Sequence, residues 1–141
     1  MKGKDHVVFG TILGVAVQVG VELPMTSLFA VPSYYGGVIL GSLLPDIDHP
    51  KSYLGRRLYP ISVLIHKLFG HRGFTHSLLS TSFIGIIGAV YWASNPLFFG
   101  GLLLGYLSHL LGDMFTPRGI PLFYPKRKRY RLVPKAKKKT K

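Results

Sequence analysis

Four stretches of the chain are dominated by apolar residues, running roughly from His6 to Leu23, Tyr34 to Leu44, Thr75 to Ala93 and Leu97 to Phe115. A helix that crosses a bilayer needs about 20 predominantly apolar residues, or about 17 at the short end. The first, third and fourth stretches meet that length as they stand. The second meets it if it begins near Leu28 and carries Pro32 in its first turn or at a kink. Between the second and third, Leu58, Ile61, Leu64 or Ile65, and Leu68 recur at helical spacing among Arg56, Arg57 and Lys67. That spacing fits a short helix lying in the interface plane, and equally one packed on the bundle. The pattern predicts an all-α, polytopic membrane protein with about four transmembrane helices plus a short interfacial helix. Lys2 and Lys4 precede the first stretch, but no small-x-small cleavage site leads into a soluble body, so the stretch reads as a span and not as a cleaved signal.

The polar positions are as ordered as the apolar ones. His6, Asp46, Asp48, His49, His71, His76, His109 and Asp113 each fall at one end of an apolar stretch. With four crossings, all eight emerge on the same side. Ionisable groups at such positions are rare and mark working sites. Small-residue pairs point the same way: Gly10 and Gly14, Gly37 and Gly41, and Gly101 and Gly105 have the spacing that lets membrane helices approach closely. Residues four apart share a helix face. Gly101, Gly105, His109 and Asp113 therefore form one stripe, and His6, Gly10 and Gly14 another, so the ligands should point into the bundle.

Charge fixes an expected orientation. The chain has 141 residues, 48% hydrophobic and only 16% charged, with 18 Lys and Arg against 5 Asp and Glu, and its mean hydropathy is +0.30. Charged residues make up about 25% of soluble domains. Lys2 and Lys4 precede the first stretch. Lys51, Arg56, Arg57, Lys67 and Arg72 lie between the second and third, and Arg118 and the remaining cations follow the fourth. Every Lys and Arg thus falls on one side of a four-span chain, which the positive-inside rule makes cytoplasmic. Both termini and the site should be cytoplasmic, in a multi-pass protein of the cell (inner) membrane. Residues 1–125 form the membrane-embedded domain and 126–141 a basic cytoplasmic tail, disordered beyond about Pro134. The tail suits attraction to anionic membrane lipid, and no specific nucleic-acid partner is expected. Cysteine is absent, which excludes disulfides and thiolate metal sites.

The motifs carry the chemistry. In Ser-His-Leu-Leu-Gly-Asp, His109 and Asp113 can serve one ion from one helix face. In Leu-Pro-Asp-Ile-Asp-His-Pro, Pro45 and Pro50 bracket Asp46, Asp48 and His49 where the helix cannot continue. A solvated acidic turn ending a helix would look the same. In His-Arg-Gly-Phe-Thr-His-Ser, Gly73 breaks the backbone, Thr75 is placed to cap the third helix, and His71 and His76 flank the break. His66 has no clustered partner and reads as structural. The metal set is therefore His6, Asp46, Asp48, His71, His76, His109 and Asp113, with His49 open between binding the ion and acting beside it.

These three blocks, in order between about His6 and Pro125, resemble the signature blocks of the YdjM-type inner-membrane metal-dependent hydrolases. The resemblance implies a multi-pass membrane protein holding a divalent metal on the quoted positions, and hydrolytic activity. The family's distant likeness to zinc-dependent phospholipase C does not define a substrate.

Imidazole and carboxylate without sulfur suit Zn²⁺, Mn²⁺ or Fe²⁺. Seven or eight candidates exceed the roughly four ligands of one structural zinc, so two ions bridged by Asp48 or Asp113 are expected, about 3.5–4 Å apart. Such a centre lowers the pKa of bound water and steadies the oxygens of an in-line displacement. Arg72 could hold a phosphate oxygen, and with His49 it is the candidate catalytic group. The expected function is phosphoester hydrolysis of a lipid or small amphiphile at the cytoplasmic leaflet. A metal-binding or metal-permeating membrane protein, or a scaffold with a structural metal, would use the same ligands. Permeation would favour polar residues deep in the spans, where mainly Gln18 and small hydroxyls occur.

Overall fold

The computed structural model describes residues 3–134. Residues 135–141, the end of the expected basic tail where disorder is expected, lie outside the described residues. Six α-helices follow in order: α1 (Gly3–Gly20), α2 (Ala30–Leu43), α3 (Tyr53–Arg57), α4 (Tyr59–Phe69), α5 (Leu78–Val90) and α6 (Pro96–Met114). Single 3₁₀ turns occupy Leu44–Asp48 and Phe74–His76. Among the described residues there is no strand beyond an isolated bridge between Ile120 and Tyr130.

Helices α2 and α6 are the central pair, α1 packs across both, and α5 leans on α6. The glycine stripes are the reason. A Cβ on Gly37 or Gly41 would strike the Phe98 or Leu102 carbonyl of α6, and one on Gly101 or Gly105 would strike the Tyr34 or Val38 carbonyl of α2. The two backbones are in direct contact. Gly10 of α1 meets the Ser42 and Ser108 hydroxyls in the same way. Both predicted stripes are buried along their length: His6, Gly10 and Gly14 on α1, and Gly101, Gly105, His109 and Asp113 on α6.

The remaining partition is inside out. Buried positions are largely His, Asp, Ser, Thr and Gly, whereas Val8, Ile12 and Val19 of α1, Phe83, Ile86 and Val90 of α5, and Leu107 of α6 are exposed. An aqueous surface of that kind would be costly; a hydrocarbon surface would not. Only α6, among the described residues, is long and apolar enough by itself to cross a membrane. Helices α2 and α5 have 14 and 13 residues, about 20 Å each at 1.5 Å per residue. They are shorter than the expected spans because their ends are used otherwise. Thr75 does not cap α5: its hydroxyl donates to Asp48 at 2.6 Å, and Ser77 accepts from the Ser80 amide instead. At the far end a turn at Tyr91–Ser94 precedes Asn95, which caps α6 through the Phe98 amide.

The expected amphipathic helix is present as α4, and its apolar positions Ile61, Leu64 and Leu68 face outward while Ser62 is buried. After α6 the chain folds back, with Ile120 and Tyr130 exchanging backbone hydrogen bonds and the Leu132 amide donating to Met114. Residues 126–132 thus return onto the helices, and Ile120 packs with Tyr106 and Leu110.

Candidate metal centre

The start of α1, the end of α2, the loop before α5 and the end of α6 meet at one end of the bundle. Asp46 arrives from the 3₁₀ turn that Pro45 begins, His76 from the turn before α5, His109 and Asp113 from the last two turns of α6, and His6 from the first turns of α1.

Two imidazoles are held in the tautomer that frees Nε2. His109 donates its Nδ1 hydrogen to the Ser42 carbonyl at 2.7 Å; a carbonyl only accepts, so the proton resides on Nδ1. The Nδ1 of His76 lies 3.2 Å from Asp48 Oδ2 and 3.0 Å from Thr75 Oγ1. Because the Thr75 hydrogen is already given to Asp48, the proton in this contact belongs to His76. The two Nε2 lone pairs are buried without a hydrogen-bond partner.

Both face carboxylates. His76 Nε2 lies 3.8 Å from Asp46 Oδ1 and 3.5 Å from Asp113 Oδ2, and His109 Nε2 lies 3.8 Å from each of the same two oxygens. A tetrahedral ion with bonds of about 2.1 Å has ligand–ligand edges of about 3.4 Å, and these four nitrogen–oxygen contacts are only slightly longer than that. Buried acceptors directed at one another are unfavourable, and a cation between them removes the cost. His6 adds a fifth donor. Its Nε2 is 3.5 Å from Asp113 Oδ1, and its ring stacks on His109 with centroids 3.6 Å apart and planes 8° from parallel. Two overlapping ligand groups result, Asp46–His76–His109 and His6–His109–Asp113.

Asp48 stands behind this set. Its Oδ1 accepts from His71 Nδ1 at 3.0 Å, and its Oδ2 accepts from the Arg72 amide and the Thr75 hydroxyl as well as facing His76. Burial alone would raise its pKa, but hydrogen bonds from His71, His76 and the Thr75 hydroxyl hold it well below the carboxylate range. Its contacts are those of an anion that orients a ligating imidazole. His71 is partly exposed beside Asp48 and shares no ligand group with the converging atoms. His49 lies 4.8 Å from His71, ring to ring, and burial together with His71 lowers its pKa.

Arg72 sits at a positive φ of 58° and is buried. One guanidinium nitrogen donates to Asp113 Oδ1 at 2.8 Å and another to Thr116 Oγ1 at 3.2 Å. Expected as a phosphate binder, it is engaged with a member of the ligand set. Removing one partner of a buried ion pair costs about 3–5 kcal/mol. Arg72→Ala should therefore lower thermal stability, more in chelator than with divalent metal, because a bound cation would compensate Asp113. Equal losses in both conditions, read by thermal unfolding in detergent, would refute this.

Several contributors carried no sequence signal. The Ser42 carbonyl that sets the His109 tautomer is backbone, invisible in residue identity. His66, read as structural, donates Nδ1 to the Asp48 carbonyl at 2.8 Å and so ties α4 to the aspartate turn.

Above Asp46 opens a cleft of about 840 Å³ whose lining includes His49 and His71 and five cations, Lys4, Lys51, Arg56, Arg72 and Arg118. The centre is thus reachable through Asp46, and its approach is basic.

The sequence profile of the YdjM inner membrane protein family matches residues 1–140. The chain belongs to that family. It is 52% identical over 100 residues to inner membrane protein YdjM of Escherichia coli strain K12 and, equally, to that of Shigella flexneri, covering 67% of this chain and 50% of each relative. It is 34% identical over 140 residues to the uncharacterized protein YvsG of Bacillus subtilis strain 168, covering 94% of this chain and 78% of that one. The chain spans about half the length of the two YdjM relatives it matches. No solved structure matches it. Family membership agrees with the inside-out surface: this is a membrane protein, of a family named for the inner membrane.

Proposed function

We propose that this YdjM family member is a membrane-bound, metal-dependent hydrolase that cleaves a phosphoester of a lipid or amphiphile at the cytoplasmic interface. The observation that carries the reading is the convergence of the unpartnered Nε2 atoms of His76 and His109 on Asp46 and Asp113, at the base of an open cation-lined cleft. Zinc fits the donor set best, with manganese or iron as the other cations of suitable hardness. A divalent ion there would supply Lewis acidity and lower the pKa of a bound water toward neutrality. With His109 Nε2 given to one ion, a second ion would be left His6 and Asp113 as its ligands. Asp113 would be the bridge, its two oxygens facing the two groups. The cleft cations would hold the anionic substrate, and Asp48 would keep His76 in its ligating tautomer.

The test is metal analysis of detergent-purified protein followed by hydrolysis assays on phospholipids, nucleotides and p-nitrophenyl phosphate, with Asp46→Asn as the comparison. Metal-loaded, folded protein with no turnover above Asp46→Asn would overturn the hydrolase reading.

The inside-out surface and the one-sided cations support four crossings with both termini cytoplasmic, the short α2 and α5 being completed by their flanking turns. Reporter fusions after Ser27 and Asn95 should read outside, and fusions after Arg57 and Lys137 inside. An outside reading at Arg57 would put the metal centre on the wrong face.

A further inference from the structure

A second cavity, of about 470 Å³, lies on the other side of the His71–Arg72 wall from the cleft. Three chain regions build it: the end of α4 (Lys67, Leu68, Phe69), the Gly70–Gly73 loop, and the returning segment with Pro121, Tyr124, Arg127 and Arg129. Its cations are directed there. Arg127 and Arg129 both line it, while the intervening Lys128 turns away to lie 5.6 Å over the Tyr130 ring. Among the described residues none of Lys67, Arg127 and Arg129 pairs with a carboxylate. The chain has only 5 acidic residues for 18 basic ones, and three of those five are in the metal centre. An anion bound here would have to come from outside the described residues.

The surroundings say what kind of anion. Leu68, 64% exposed, belongs both to the cavity wall and to the outward apolar stripe of α4 with Ile61 and Leu64. Phe69 and Tyr124 supply a further apolar wall, their rings 6.3 Å apart and edge to face. Cations above an apolar stripe on a membrane-bound helix match a phosphate headgroup joined to acyl chains, whereas a free inorganic anion would leave the stripe uncovered.

We infer that this cavity is a binding site for the headgroup of an anionic phospholipid, held as a fixed lipid and distinct from the substrate cleft. Lys67, Arg127 and Arg129 take the phosphate, and the acyl chains run along Leu68 and Leu64 of α4. The bound lipid fastens the returning C-terminal segment to α4. The inference needs only the membrane setting, so it stands or falls apart from the hydrolase reading.

The experiment compares the full chain with Arg127→Gln/Arg129→Gln and with Lys137→Gln/Lys138→Gln, which removes the same charge from the end of the chain. Each is purified in neutral detergent, checked for folding by circular dichroism, and titrated with dioleoylphosphatidylglycerol or dioleoylphosphatidylcholine under native mass spectrometry. Phosphatidylglycerol should be retained by the wild type and phosphatidylcholine should not. Retention should fall about tenfold or more in the arginine variant, given roughly 1 kcal/mol per cation, and less than about twofold in the lysine variant. Lys67→Gln should fall in the same direction. Equal losses in the two double variants would mean diffuse attraction and overturn the site. Equal retention of the two lipids, or full displacement by inorganic phosphate in roughly a thousandfold excess, would overturn the lipid as its ligand.

Discussion

Gly37→Ala should destabilise the protein, whereas Gly36→Ala, one residue away on the same helix, should be neutral or stabilising by up to about 1 kcal/mol. A methyl at Gly37 would meet the Phe98 carbonyl and the Leu102 amide of α6, while nothing lies within 4 Å of a methyl at Gly36. Backbone cannot swing aside as a side chain can, so α2 and α6 must separate, and overpacking of a tight contact costs about 1–3 kcal/mol or more. Gly41→Leu and Gly105→Leu, which add far more volume at the same interface, should prevent folded protein from accumulating. Thermal unfolding and size-exclusion behaviour in detergent would show it. Similar stability for the Gly36 and Gly37 variants would mean that the helices are not packed backbone to backbone. The consequence reaches the metal centre, because Gly41 adjoins Ser42 and Gly105 lies one turn before His109, and separating the helices withdraws the carbonyl that fixes the His109 tautomer.

That dependence explains how much could be read in the sequence. The α1 and α6 stripes were legible because helical spacing alone places Gly101, Gly105, His109 and Asp113 on one face, and burial follows from the glycines. The apolar stripe of α4 was legible for the same reason, but not that it would face outward. The lengths of α2 and α5 were not. Apolar composition continues through Leu44 and begins again at Thr75, but Pro45 and the Thr75–Ser77 backbone are diverted to build the site, and composition does not record that diversion. The division of labour among the acids was hidden too. Asp46 and Asp48 are equivalent by type and spacing, and only the fold shows that Asp48 spends both oxygens on His71, Arg72, Thr75 and His76 while Asp46 faces the two bare Nε2 atoms. Arg72 was legible as a cation next to the site; that its guanidinium would be engaged with Asp113 was not.

The division between Asp46 and Asp48 yields the prediction with the largest functional effect. His109→Ala removes a donor from both overlapping ligand groups and should abolish stoichiometric divalent-metal binding. Asp48→Asn removes no converging donor. It replaces the anion facing His76 Nδ1 and should weaken metal binding about 10–100-fold, the usual cost of losing a partner that orients a ligating imidazole. His71→Ala leaves the converging atoms intact and should change metal affinity by no more than a few fold. The three variants therefore form a graded series, measurable by competition with a chelating dye on folded, detergent-purified protein and by metal content after dialysis. If Asp48→Asn lost the metal as completely as His109→Ala, Asp48 would be a direct ligand and the site would close differently around the ion. If His109→Ala kept its metal, His109 would not be a required ligand, and the approach of its Nε2 to Asp46 and Asp113 would need another explanation than a shared cation.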